Sequence, residues 1–139
     1  MAMQSGFVKR IRDIMRMDAG INGDAQRIEQ MVWMLFLKVY DAKEDDWEIN
    51  EDNYTSIIPE NCRWRNWAKA DENGHAITGD VLLDFVNNTL FPTLKGLSIT
   101  SQTPVKKAIV KSTFEDANNY MKDGVYLRQV VDVIDEIEF

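Results

Sequence analysis

The stretch from Gln26 to Tyr40, QRIEQMVWMLFLKVY, most constrains what this chain can fold into. Ten of its fifteen residues are apolar, and at helical spacing they leave almost no polar face. A helix that is apolar nearly all round lies inside a larger assembly of helices, and this one is too short to span a bilayer. The sequence therefore predicts a buried helix around which the other elements pack.

The length of 139 residues fits one domain, with an apolar content of 45% and a charged content of 28% that are ordinary for globular proteins. A chain of this size buries roughly two thirds of the surface that its unfolded form exposes. We expect residues 1–139 to form a single, mainly α domain. It would be a bundle of about five helices with a long irregular insertion over residues 41–79.

The formal charge of −7 argues against a free-standing, strongly basic nucleic-acid-binding protein. Twelve of the 23 acidic residues lie between Asp41 and Glu60 or near the C-terminus, so the remainder is slightly basic. The run from Asp41 to Asp52 lacks the glycine-centred spacing of a calcium loop. We interpret it as a solvated surface that repels DNA, and we predict no metal site.

The single cysteine, Cys62, cannot form an intrachain disulfide. The N-terminus, MAMQSGFVKRIRD, lacks the apolar core of a secretion signal, which favours a cytoplasmic protein that does not bind membranes. The only histidine, His75, lies in the turn-like segment ENGHAITG. These residues give no support to a catalytic Cys/His pair, and we interpret Cys62 as an inert, half-buried thiol.

Apolar spacing predicts a first helix from Phe7 to Arg16, capped by Ser5. The glycine-containing segment DAGINGD then separates it from the buried helix, for which Asn22 or Asp24 is a suitable cap. This outline resembles a helix-turn-helix, but a recognition helix needs polar residues facing the groove, and Met31–Leu37 offers none. We therefore predict an antiparallel helical hairpin within the core.

The insertion is rich in aspartate, asparagine and aromatic residues. Ile57, Ile58, Trp64 and Trp67 carry enough apolar surface to fold back onto the bundle. The pair Asn73-Gly74 is suited to closing a short β-hairpin.

A third helix is predicted to begin after a Thr78 cap and to end at Pro92. Its apolar stripe consists of Val81, Leu82, Phe85, Val86 and Leu90.

A fourth helix is predicted from Thr103 and Pro104, a cap and a first helical position. Its length stays open, because its apolar residues fall into two groups that point apart. These are Val105 with Ile109, and Val110 with Phe114.

After a break at Asp123-Gly124, residues Val125–Ile137 form the predicted final helix, with acidic residues on its outer side. The sequence ends at Phe139 without a capping signal, as a piece of a longer chain would. An apolar side of this last helix would then cover a missing neighbour.

Five stretches in this order resemble one family: the basic first helix, the helix ending LFLKVYD, IIPENCRWRNW, the helix running into TLFPTLKGL, and FEDANNYMKDGVYLRQVVDVIDEI. Together they resemble the N-terminal helical domain of the modification subunit of type I restriction-modification systems, an adenine-specific DNA methyltransferase. The resemblance covers essentially the whole chain.

The resemblance implies transfer of a methyl group from S-adenosylmethionine to N6 of an adenine flipped out of double-stranded DNA. It also implies assembly with a specificity subunit, a second modification subunit and a restriction subunit. In this family the helical domain packs beside a Rossmann-like catalytic domain and helps to enclose the DNA.

Two motifs of that family do not occur in this sequence. No glycine-rich cofactor loop follows a strand, and the prolines Pro59, Pro92 and Pro104 are not adjacent, so the Asn-Pro-Pro-aromatic tetrapeptide is missing. We therefore predict no catalytic and no cofactor-binding residues here, and an inactive segment when alone.

Three basic clusters are candidate contacts with the DNA backbone, where phosphate contacts supply affinity without reading sequence. The clusters are Lys9, Arg12 and Arg16; Arg63 and Arg65, with Lys69, interleaved with tryptophans; and Lys106, Lys107 and Lys111. Each also has a structural interpretation: a solvated helix face, or arginines paired with the acidic segment around Asp45. Lys38 is predicted to reach the C-terminal end of its own helix.

A second functional class stays open, in which the chain is a non-catalytic cytoplasmic helical module. It would bind a protein partner through its acidic face or its final helix, without nucleic acid. Weak, salt-sensitive DNA binding would favour the first class, and no binding at low salt would favour the second.

Overall fold

A computed structural model describes residues 6–138 of the chain. The helices are α1 (Phe7–Met15), α2 (Gly23–Asn50), α3 (Trp64–Trp67), α4 (Gly79–Phe85), α5 (Phe91–Lys95), α6 (Val105–Glu115) and α7 (Gly124–Asp135). A 3₁₀ turn covers Glu60–Cys62, and a π-helical turn, Val86–Leu90, joins α4 to α5. Within these residues there is no strand, so the mainly α prediction is confirmed.

Helix α1 follows its predicted pattern. Ile11 and Met15 are fully buried, while its basic residues face outward. The predicted cap, Ser5, lies outside the described residues. Helices α1 and α2 are joined by the turn over residues 16–22, and both pack against α7. They pack on α7 rather than along one another, so the predicted antiparallel hairpin is not formed.

Helix α2 is longer than predicted, since it continues through the acidic run to Asn50. The prediction of an irregular insertion from residue 41 is therefore wrong for its first ten positions. The physical reason is that Tyr40 and Glu44 are buried and Trp47 is half-buried, so the inward face continues at helical spacing. Alanine, lysine and glutamate within this stretch are also good helix formers.

Helix α2 is also less enclosed than predicted. Its inward side, including Trp33, Met34 and Leu37, is buried, but Ile28 is 57% exposed and Val32 is 53% exposed. Its apolar residues therefore serve two sides of the helix, of which the bundle covers only one.

The shortened insertion, residues 51–78, folds back onto the bundle as predicted. Ile58, Trp64 and Trp67 are buried, and Trp64 donates a hydrogen bond to Asp135 Oδ1 at 2.8 Å. The hairpin prediction is wrong. Asn73 and Gly74 do form a turn, but the Asp71 carboxylate accepts hydrogen bonds from the backbone N–H groups of Asn73 and His75, and no ladder extends beyond it.

The predicted third helix does not end at Pro92. The π-helical turn places the N–H of Phe91 on the carbonyl of Val86, and Pro92 then occupies the first turn of α5, where its missing N–H has no cost. Val81 is not part of the buried stripe, since it is 65% exposed. Leu82, Val86 and Leu90 are fully buried.

The two groups of apolar residues in the predicted fourth helix point apart because only one side of this helix, α6, is buried. Val110 and Phe114 of α6 are fully buried, whereas Val105 is 84% exposed and Ile109 is 45% exposed. Phe114 joins an aromatic cluster with Trp33 and Phe91, in which ring centroids lie 4.9 to 6.3 Å apart.

Helix α7 lies at the centre of the bundle, against α1, α2 and α4. Asp123 caps it by accepting hydrogen bonds from the N–H groups of Val125 and Tyr126. At Gly124 the chain passes so close to α4 that an added Cβ would lie 1.8 Å from the carbonyl oxygen of Gly79. The prediction of an exposed apolar side on this helix is wrong, because among its apolar residues only Val125 is largely exposed.

Candidate nucleic-acid interface

Four basic side chains form one edge of the protein, here called the basic edge: Lys9, Arg12 and Arg16 of α1 and Arg27 of α2. Lys9 and Arg16 are 80% and 58% exposed, and Arg12 is also exposed. Their separation by three or four residues places them on one side of the helix. The three sequence-predicted residues are therefore brought together in a position accessible to a large partner.

Two carboxylates balance the basic edge only in part. Asp13 lies 2.8 Å from Lys9 Nζ and 3.9 Å from Arg16 Nη1. The hydrogen bond from Lys9 and the charges of the nearby cations lower the pKa of Asp13. The second carboxylate is Asp24, on the first turn of α2, and its bond with Arg27 lowers its pKa as well. Both carboxylates are thus ionised at neutral pH, and four cations face two anions.

Arg27 was missed by the sequence reasoning, because it lies in the stretch interpreted as a buried helix. Its guanidinium donates to Asp24 Oδ1 at 2.6 Å, and this bond lowers the pKa of Asp24. The charges of Arg12 and Arg16 act on the same carboxyl, which places all three arginines in one neighbourhood. The short connection between α1 and α2 could have indicated this, since it keeps the first turn of α2 near the last turn of α1.

Asp18 holds the basic edge on the bundle. This side chain is 3% exposed, and its carboxylate accepts hydrogen bonds from the N–H groups of Gly20, Lys122 and Asp123 at 2.7 to 3.0 Å. The turn between α1 and α2 is thereby fixed to the start of α7. Gly20 permits this contact, because a Cβ there would lie 2.1 Å from the carbonyl oxygen of Tyr120.

Arg63 and Arg65 are paired with the acidic half of α2, as the structural interpretation expected. Arg65 donates to Asp41 at 2.8 Å and lies 3.0 Å from Asp45. Arg63 is 9% exposed at its side chain and contacts Glu44, Glu48 and Glu60. These arginines attach the insertion to α2, and the neighbouring tryptophans are buried in the core.

The third cluster is also engaged within the protein. Lys106 pairs with Glu51 and lies over the ring of Trp47, 4.6 Å from its centroid. Lys107 lies over the Tyr54 ring, and Lys111 donates to the carbonyl of Leu97 at 2.9 Å. Of the three predicted clusters, the one on α1 is therefore the most open to a partner.

Lys38 does not contact the end of its own helix, which lies three turns further on. Its ammonium instead donates to the backbone carbonyl of Asp135 at 3.0 Å and to the Asp135 carboxylate at 3.2 Å. A cation at a helix C-terminus is present as expected, but the helix is α7.

The described residues offer no group of three or more His, Cys, Asp or Glu side chains arranged to hold a metal ion. Cys62 is fully buried rather than half-buried, and burial raises the pKa of its thiol. The exposed His75 lies 3.9 Å from Asp71, in the loop between α3 and α4. Within residues 6–138, no helix combines the length and the apolar character needed to cross a membrane.

Comparison with known proteins gives a family for this fold. The family model of the HsdM N-terminal domain matches residues 5–134. The type I restriction enzyme EcoEI methylase subunit of Escherichia coli is 48% identical over 135 residues, which is 97% of this chain and 27% of that protein.

Two solved structures share the fold over nearly the whole chain. One is a crystal structure described as a modification subunit of a type I restriction enzyme from Vibrio vulnificus, with a TM-score of 0.85, 33% identity, and coverage of 99% of this chain and 31% of that one. The other comes from work on complex assembly and conformational transition of the type I R-M system, with a TM-score of 0.80, 32% identity, and coverage of 97% and 26%. The chain thus spans less than a third of the proteins that it matches, and it belongs to the HsdM N-terminal domain family, the N-terminal domains of type I restriction-modification methylase subunits.

Proposed function

We propose that this chain forms the N-terminal domain of an adenine-specific (N6) DNA methyltransferase subunit and helps to enclose double-stranded DNA. The partners would be a specificity subunit, a second modification subunit and, in the full complex, a restriction subunit, all in the cytoplasm. Its family membership supports the assembly role. S-adenosylmethionine would be bound by another part of the subunit, because this sequence contains neither family motif for cofactor binding and catalysis.

The observation that carries the DNA role is the basic edge. Lys9, Arg12, Arg16 and Arg27 lie together at the surface of a protein whose net charge is −7. Such a group suits phosphate oxygens, which are contacted without regard to sequence. Reading the target sequence would then belong to the specificity subunit, as the family resemblance implies.

Neutralising two arginines of the basic edge tests the DNA role. We would measure binding of this chain to a short duplex by fluorescence anisotropy across a series of salt concentrations. Each lost phosphate contact removes about 0.9 from the slope of log K against log salt. The variant Arg12→Gln/Arg16→Gln should therefore lower the slope by about 1.8, twice the value for one contact.

A matched control removes the same charge elsewhere. Lys43 lies in the C-terminal half of α2 and Lys95 lies on α5, both away from the basic edge. Lys43→Gln/Lys95→Gln should leave the slope unchanged. Equal effects of the two double variants would reject a specific role for the basic edge, and no binding by the unaltered chain at low salt would favour the protein-interaction module instead.

Sequencing the gene beyond codon 139 tests the methyltransferase part of the proposal. A reading frame that continues past codon 139 into a glycine-rich loop after a strand and an Asn-Pro-Pro-aromatic sequence would support it. A stop at that codon would leave a self-contained, non-catalytic protein.

A further inference from the structure

The outward side of α2 carries a regular apolar row, here called the outer stripe: Ile28, Val32, Leu35, Val39 and Ala42. The spacing of four, three, four and three residues is that of the a and d positions in helices that pack on another helix. At 100° per residue the stripe lies opposite the buried side of the helix, which includes Trp33, Leu37 and Tyr40.

The bundle leaves the first two members of this stripe largely uncovered, since Ile28 is 57% exposed and Val32 is 53% exposed. Leu35, Val39 and Ala42 are half-buried, and Leu35 also packs against the core. Scattered exposed apolar residues are normal on any protein, but a contiguous row along one helix marks a contact surface. The stripe ends at the next position of the series, which is the exposed Asp46.

The end of α7 lies beside this stripe. Lys38, which lies on α2 between Leu35 and Ala42, donates a hydrogen bond to the carbonyl of Asp135, the last residue of α7. Ala42 and Asp135 also line one open cavity of about 330 Å³. Chain that follows residue 139 would therefore start within reach of the stripe.

The size of the stripe favours an occupant that is covalently attached. From Ile28 to Ala42 the helix rises about 21 Å, at about 1.5 Å per residue. A ridge of that length, roughly 10 Å wide, offers far less than the about 800 Å² per partner of a standard stable interface. An attached partner needs less area, because its effective concentration is already high.

We propose that the outer stripe is the docking surface for the domain that follows residue 139 in a full-length methylase subunit. That domain would present an apolar helix to the stripe. The inference rests on the proposed function, since it needs a longer chain. The relatives support such an arrangement, because the matched segment is the N-terminal one and fills only 26 to 31% of their solved chains.

Thiol labelling tests this docking. Cys62 is fully buried and has a raised pKa, so it reacts slowly and leaves the background low. Val32→Cys places a thiol on the stripe, and Val81→Cys places one at a valine that is 65% exposed on α4 as a matched control. Each would be labelled with a maleimide in the 139-residue chain and in the full-length subunit.

We expect the Val32→Cys thiol to react at least about tenfold more slowly in the full-length subunit than in the 139-residue chain, as for a site that opens one time in ten. The Val81→Cys thiol should react at similar rates in both. Equal rates for Val32→Cys in the two proteins would overturn the docking while leaving the proposed function intact. If the Val32→Cys thiol is labelled slowly in the isolated 139-residue chain, and only at high protein concentration, the stripe binds a second copy of the chain. That result would overturn the proposed docking.

A gene that stops at codon 139 would be a different failure. The gene sequence by itself would then contradict both the proposed methylase subunit and the proposed occupant of the stripe, and no labelling experiment would be needed.

Discussion

Buried polar side chains fix the loops of this domain one by one. Gln30 is fully buried on α2, donates to the Asn119 side chain and accepts from the N–H of Tyr120, both at 2.7 Å. Arg128 on α7 donates to the carbonyls of Ala68 and Ile77. Each of these side chains satisfies backbone groups that no helix or strand could satisfy, so its loss leaves polar groups buried without a partner.

Asp18 should be the most sensitive of these positions. Replacing it with alanine removes a charged acceptor from three backbone N–H groups, and hydrogen bonds to charged groups contribute about 1.5–3 kcal/mol each. Because the losses overlap, we expect Asp18→Ala to lower the free energy of unfolding by about 3 kcal/mol, measured by urea titration. Asp46→Ala, at an exposed aspartate of α2, should change it by less than about 0.5 kcal/mol. Similar values for both variants would contradict this account.

Tyr40 should make the stability fall at alkaline pH. Burial, followed by the charge of Glu44, raises the pKa of Tyr40 to about 12 from its ordinary value of 10.0. Since the unfolded state ionises first, the contribution of Tyr40 is complete below pH 10.0 and is lost as the pH rises towards 12. Two pKa units correspond to at most about 2.7 kcal/mol.

The matched variant for this pH effect is Tyr40→Phe, which keeps the ring but has no ionisable group. The difference in unfolding free energy between the two proteins should be constant from pH 7 to 9 and should shrink above pH 10.0, where the unfolded tyrosine ionises. A difference that stays constant up to pH 12 would show that burial does not shift this phenol.

At the scale of elements, the insertion is attached to the acidic half of α2 by a buried ion pair. Glu44 is fully buried and lies 3.5 Å from the Nε of Arg63, and its other oxygen accepts from the Tyr54 hydroxyl at 2.7 Å. Arg65 repeats the attachment nearer the surface, with its side chain 26% exposed. The two arginines thus perform similar roles at different depths.

That difference in depth predicts different costs. Arg63→Ala leaves Glu44 buried without its cation, and breaking a buried pair in this way costs about 3–5 kcal/mol. Arg65→Ala should cost less, about 1 kcal/mol, because its ion pairs lie nearer the surface, where solvent weakens the attraction between charges. Urea unfolding followed by tryptophan fluorescence would measure both, since Trp64 lies between the two arginines in sequence. Equal costs would mean that burial does not decide the strength of these pairs.

The helices could be predicted where one apolar period dominates, as in α1 and α7. The prediction failed where a helix continued for reasons other than its apolar spacing. In α2 the inward face includes a buried glutamate, Glu44. Its burial could not be recognised from the sequence, because its partner Arg63 is distant along the chain. At Pro92 the sequence indicated an end, but a π-helical turn shifted the hydrogen bonds by one residue so that the helix resumed.

At the scale of the whole molecule, positive and negative charges are separated along α2. This helix has 28 residues and is therefore about 42 Å long. Arg27 and the basic edge lie near its first turns, and the acidic residues from Asp41 onward occupy its second half. Separation over this length exceeds the about 10 Å screening distance at 0.1 M salt, so a polyanion meets two distinct surfaces.

The candidate site was only partly predictable for this reason. Lys9, Arg12 and Arg16 could be identified from spacing on a single helix. The contribution of Arg27 depends on a contact between two helices, and so does the pairing of Arg63 with acidic residues of α2. The sequence does not show which elements are neighbours in the fold. Charge counts in a sequence therefore show which residues are basic but not which of them the fold has already neutralised.

Reversing charge on the acidic half should create a second DNA-binding surface. Asp46 and Asp52 are exposed, and Asp46→Lys/Asp52→Lys would join them to the nearby Lys43. We expect the affinity of this chain for a short duplex to rise by about tenfold at 50 mM salt and to return to that of the unaltered chain near 1 M, where the screening distance falls to about 3 Å. The control Glu72→Lys/Glu115→Lys makes the same change in net charge at two separate exposed sites and should have a much smaller effect. Unchanged affinity in the α2 variant would show that its acidic half does not repel DNA and does not orient the domain.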